Sequence, residues 1–244
     1  MNTYQDMMQR LLHYRSLSST NNTRLSRVLT LTKSQIGKME DGSYMLPVPT
    51  LIAIENHTNL SVDYLITGTK SVNTVFHQLE EELEPDPTCR ENFIDMLDST
   101  MHHALAGTEI KQPEGSPSFP HEQELLTLLH LSANSGANSR ADCWRNAREA
   151  YQLTQTDFCN ISGTNLKRFH KIEAKEQPAD ARILLNLYNE LNIPPSFFLR
   201  GKIENYDLLN HFFQTLTAGR QNDIQNILRA GIRFINVTWT KKYL

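Results

Sequence analysis

Two stretches of this 244-residue chain carry side chains suited to an anionic surface rich in hydrogen-bonding groups: LTKSQIGKMEDG at 31–42 and TNLKRFHKIEAK at 164–175. In the first, Ile36 and Met39 stand three apart and share one face of a short helix. Thr32, Lys33, Ser34, Gly37 and Lys38 lie elsewhere on that helix and include its first turn. Thr32 can cap the N-terminus, where backbone N–H groups need partners and an anion is welcome. Lys33, Ser34 and Lys38 can reach bases or phosphates, and Gly37 lets the backbone approach closely. A helix so built is shaped to enter a DNA major groove. In the second stretch Asn165 is the expected cap, and Lys167, His170 and Lys171 face outward with it. Leu166 in an outward position suits contact with a thymine methyl group. Any one small amphipathic helix could look like this; the repetition gives the pattern its weight.

Other chemistries have little behind them. The sequence contains no phosphate loop, nucleophile elbow, paired metal ligands or Cys–His constellation, so the expectation is a non-enzymatic protein without catalytic residues, cofactor or metal. His102, His103, His121 and His130 lack companion ligands at metal-site spacing. Cys89, Cys143 and Cys159 are odd in number and equally without metal-type pairing, which suggests reduced thiols in a cytosol. No apolar run reaches the ~18 residues of a membrane span, and the polar start MNTYQD is unlike a signal peptide. A cytoplasmic protein is expected.

Sliding the chain against itself gives one gapless register of 133 positions. Arg15 falls on Arg148, Leu25 on Phe158, Ile36 on Phe169, Met39 on Ile172 and Lys38 on Lys171. Glu40 falls on Glu173, Leu51 on Leu184, Asn59 on Asn192, Leu65 on Phe198 and Gly68 on Gly201. Apolar positions stay apolar while most polar ones change, as two copies of one fold with diverged surfaces would show.

Both segments resemble the helix-turn-helix domain of the lambda-repressor/Cro-like (XRE) family. That family has an Arg on helix 1, a polar start to helix 2, a Gly at the turn and a recognition helix ending Ile-Glu-x-Gly. Two further helices close with Leu-x-Gly. The second copy carries Arg148, LTQTDFC, Gly163, KIEAKEQP and FFLRG, over about 60 residues. The first keeps MEDG and YLITG but has Thr30 for the turn Gly and Ser26 for an Ala, while Lys175 replaces the Gly after the second recognition helix. The resemblance implies that Gln155 clamps a phosphate, that Asn22 does so with shorter reach, and that Arg15–Glu40 and Arg148–Glu173 are structural ion pairs. Cys159 stands where the family has Ala, as a small core residue.

The implied fold is all-α: two five-helix domains of this kind, a helical acidic connector, a linker and an apolar C-terminal helix pair. Residues 1–70 form the first domain and 71–106 the connector, with stripes Val72, Val75, Phe76, Leu79, Leu83 and Phe93, Leu97, Met101, Leu105. Residues 107–120, rich in Gly, Pro and Ser, read as a flexible linker. Residues 121–203 form the second domain with a leading helix, and 204–244 the tail helices. The formal charge of −3 is unevenly spread: residues 71–140 hold twelve acidic and three basic side chains, and each flanking segment is net basic. That distribution is compatible with DNA binding at modest non-specific affinity. The tail, with Leu208, Leu209, Phe212, Phe213, Leu216 and then Ile224 to Trp239, is too apolar to stand exposed.

The functional expectation is a sequence-specific transcriptional regulator, more often a repressor in this family, reading operator DNA with two recognition helices per chain. Homodimerisation through the tail or the middle helices would give the assembly its two-fold symmetry. The alternative is a protein-interaction regulator of antitoxin or anti-repressor type, using the acidic middle and apolar tail.

Overall fold

The structure is a computed structural model, and it describes residues 2–17, 26–27, 29, 31–57, 60–69, 74–106, 119–133 and 142–243. Among these residues the regular elements are all helices, and one isolated bridge joins Pro47 and Asp180. None of the helices described is long and apolar enough to cross a membrane. The chain divides into two compact units: residues 1–70 with 137–201, and residues 71–136 with 202–244.

The first unit holds both repeats. Helices α1 (Tyr4–Leu17), α2 (Lys33–Glu40), α3 (Val48–His57) and α4 (Val62–Thr67) come from the first. The second supplies α8 (Cys143–Ala150), α9 (Gln155–Ser162), α10 (Leu166–Glu173), α11 (Ala181–Leu191) and α12 (Pro195–Arg200). Local signals set the helix ends. Thr32 and Gln35 exchange a reciprocal capping box, as do Thr154 and Asp157, which satisfies two orphan N–H groups at each helix start. Ser61 accepts from the Tyr64 amide at 3.1 Å. The inward residues are those the repeat aligned: Ile36 and Met39 are buried in α2, Phe169 and Ile172 in α10. Each is worth about 1.5–3 kcal/mol in apolar burial.

The repeats meet in a particular way. Ala181 N donates to Leu46 O at 2.8 Å and Val48 N donates to Ala179 O at 2.9 Å, flanking the bridge between Pro47 and Asp180. Asp63 accepts from both the amide and the hydroxyl of Ser196, at 2.7 and 2.8 Å. Pro47 and Asp180 are repeat counterparts, and so are Asp63 and Ser196. Residues touching their own counterparts define a local two-fold axis between the repeats. Asn2–Asn189 hydrogen bonds and the Arg200–Glu55 ion pair extend the contact. The two domains expected at 1–70 and 121–203 therefore share one unit, because their α4 and α12 ends are complementary.

The second unit contains α5 (Val75–Glu80), α6 (Pro87–Leu105), α7 (Glu122–Ala133), α13 (Tyr206–Gln214) and α14 (Ala218–Tyr243). Helix α7 was expected to lead the second domain; instead it packs in this unit, with Leu125, Leu128 and Leu129 buried. The tail helices lie against the middle ones, α14 along α6 and α13 on α5. Phe76 meets Phe213 edge-on at 5.3 Å between ring centroids. Arg90 bridges Glu80 at 2.7 Å and the buried Glu204 at 3.4 Å. The apolar residues that motivated a tail-mediated homodimer are thus largely covered by their own chain, since the middle stripes present a matching face.

The repeat also runs further than sequence matching carried it. Phe76, Leu79 and Leu83 correspond to Leu209, Phe212 and Leu216 in the same 133-residue register. The loop after α13 is shorter by two, so Phe93, Leu97 and Met101 correspond to Ile224, Leu228 and Ile232, all buried. The short helix and long helix following each repeat are themselves copies.

Candidate nucleic-acid interface

Helices α9 and α10 are joined by a three-residue turn. Gly163 closes α9 with φ 70°, in the left-handed region. A side chain there would also strike the Asn186 amide at 2.8 Å, which itself donates to Ser162 O at 3.1 Å. Glycine is therefore strongly favoured at this turn. Asn165 then accepts from the Arg168 amide at 2.9 Å and starts α10. Its repeat counterpart Thr32 starts α2 in the same way, accepting from Gln35 N at 3.2 Å.

Both helices bury one face and expose the other. On α2, Thr32, Ser34, Gly37 and Lys38 are exposed around buried Ile36 and Met39. On α10, Asn165, Lys167, His170 and Lys171 are exposed, and Leu166 retains 42 % of its surface. Asn22 lies outside the described residues, as do the side chains of Arg15, Lys33 and Glu40.

Gln155 is less free than a phosphate clamp would be. Its Nε2 donates to Glu173 Oε2 at 3.2 Å, and its Oε1 lies 3.2 Å from His170 Nε2, a pairing that needs the Nε2–H tautomer. Gripping a phosphate would require Gln155 to exchange these partners. In the second repeat Arg148 Nε stands 4.0 Å from Glu173 Oε1, at ion-pair distance, while its other nitrogens reach Leu153 O and Glu149. Glu173 thereby ties helices α8, α9 and α10 together. Burial pushes the Cys159 thiol up, with Glu173 adding to the effect; all three cysteines are buried and none is in a disulfide.

Arg168 went unremarked in the sequence, though it lies on α10. It is half-buried and bound to Asp180 at 2.6 Å, while the same carboxylate caps α11 through the amides of Arg182 and Ile183. Arg168 orients α10 against α11 and is not available to a ligand in this state. Its partner lies twelve residues on with no local signal between them. Gln35, its counterpart, closes the Thr32 capping box instead. Among the described residues, no group of three or more His, Cys, Asp or Glu side chains is arranged to hold a metal ion.

The arrangement is two short, capped helices at equivalent places about a local two-fold axis, α2 offering hydroxyl and ammonium groups outward and α10 amide, imidazole and ammonium groups. Such groups can donate to phosphate oxygens and base edges. No family model, curated protein or solved structure matches the chain.

Proposed function

We propose that this protein is a sequence-specific DNA-binding transcriptional regulator, more readily a repressor than an activator, built from two tandem helix-turn-helix domains of the lambda-repressor/Cro-like type. Helices α2 and α10 act as recognition helices. Lys33, Ser34 and Lys38 on one, and Asn165, Leu166, Lys167 and Lys171 on the other, contact base edges and phosphates. Gln155 and His170 join them once their mutual hydrogen bond is exchanged. The observation that carries this reading is the pair α2 and α10: each starts on a polar side-chain cap and buries apolar residues at the same two positions, with unlike polar exteriors. A fold serving only as scaffold gives no reason to keep both exteriors basic around a fixed interior.

The test is selection of bound fragments from a genomic library by the full-length protein, repeated at two salt concentrations. Enrichment of a defined motif, with affinity falling steeply as salt rises, is the expected result. Absence of any enrichment would sink the reading. It would favour a protein-interaction regulator, for which Ile227, Phe234 and Val237, exposed on α14, offer the contact surface.

A further inference from the structure

Two contacts in the first unit join a residue to its own repeat counterpart. Pro47 bridges Asp180, and Asp63 binds Ser196. Two copies related by a simple shift along the chain path would touch through different residues; only rotation about a two-fold axis brings counterparts together. We propose that the chain is its own dimer: a single copy recognises an asymmetric DNA element made of two unlike half-sites in inverted orientation. This rests on the DNA-reading function proposed above.

The geometry supplies the orientation. Rotation about an axis leaves the component along that axis unchanged, so whatever part of the α2 exterior points toward one end of the axis is matched by α10. Exteriors that share one end of the axis would approach one duplex from one side and in opposed directions, as the halves of a symmetric dimer do. Their exteriors differ at equivalent places: Lys33 against Leu166, Ser34 against Lys167, Gly37 against His170. The half-sites they read must differ accordingly.

The contact at the axis also selects which copies pair. Asp63 facing Ser196 sets an acceptor against two donors. Two first repeats meeting in the same manner would set Asp63 against Asp63, carboxylate on carboxylate, which disfavours the homotypic pair. In the second unit α5 and α6 pack on their own counterparts α13 and α14, so counterpart pairing recurs there.

The experiment is native mass spectrometry of the full chain with the selected duplex, together with the symmetry of the selected motif. One chain per duplex is expected, with a bipartite motif that loses a single half in the Lys167→Ala, Lys171→Ala variant. A second variant, Asn165→Thr, Leu166→Lys, Lys167→Ser, His170→Gly, gives α10 the outward residues of α2. Its motif should become a palindrome. Circular dichroism and melting establish that this variant folds; if it does not, the wild-type stoichiometry decides. Two chains per duplex, a direct repeat in the swapped variant, or a motif with one half only would each overturn the inference while DNA reading stands. No selected DNA at all would overturn the reading beneath it.

Discussion

Helices α2 and α10 occupy equivalent positions and are built by the same rules, yet only one outward position, Lys38 with Lys171, keeps its residue type. Inside, Ile36 and Met39 become Phe169 and Ile172, a change of size that the surrounding core absorbs. At the start, Thr32 becomes Asn165, and both accept an N–H three residues on. At the end, Gly42 and Lys175 both sit in the left-handed region, with φ 77° and 61°. Burial, capping and backbone conformation are demands of the fold, and they persist even at some strain. Outward positions answer to whatever the helix meets, and they have diverged.

The comparison can be broken most forcefully where the copies touch. Replacing Ser196 with Asp removes the hydroxyl's hydrogen bond to the buried Asp63 carboxylate and sets a like charge beside it, and should cost about 3 kcal/mol in urea unfolding. Adding Asp63→Ser to that variant restores an acceptor–donor pair and should recover stability to within about 1 kcal/mol of wild type. A double variant as unstable as the single one would mean that the axis contact is not interchangeable.

The outward faces come next. Lys33→Ala with Lys38→Ala should weaken operator binding by about tenfold, or about 1.4 kcal/mol, and flatten the salt dependence by about two ion contacts. Unchanged affinity would remove α2 from the interface. Lys175→Gly should raise stability by about 1 kcal/mol, because relief of left-handed strain exceeds the lost backbone restriction. The reverse change at Gly42 should cost a similar amount, and melting of the two variants checks both.

The smallest effect lies in the second unit. His102 has its pKa held below the usual 6.5 by burial, and further by the neighbouring His130 and His103, whose rings stand 5.2 and 5.4 Å away. A base that binds protons less well when folded contributes stability that is present above pH 6.5 and lost as pH falls through that range. Melting at pH 7.5 and 5.5 should show a modest drop at the lower pH, reduced in His102→Gln. Equal drops in both proteins would locate the sensitivity elsewhere.

Much of the candidate site was legible because its determinants are local. Thr32 and Asn165 announce helix starts, and Ile36 with Met39 announces a buried face. Gly163 marks the turn. What escaped was set by distance along the chain. Arg168 looks like a free basic group until Asp180, held by its duty as the α11 cap, takes it up. Gln155 looks like a clamp until Glu173 and His170 occupy both ends of its amide. The copy relation of α5–α6 to α13–α14 escaped because two residues are lost from a loop, which shifts the register after the apolar match has begun.

By itself the sequence determined that this protein is helical, that it contains a repeated segment, and where the helices of that segment begin and which face each buries. These follow from periodicity and capping, which act within a few residues. Only the tertiary structure decided that the repeats are joined in one unit about a local two-fold axis, and that the apolar tail is covered by the middle helices. Those outcomes depend on shape and charge matching between segments more than a hundred positions apart. Asp63 carries no sign in the sequence that Ser196 is its partner; the hydrogen bonds exist only once both helices have formed and met.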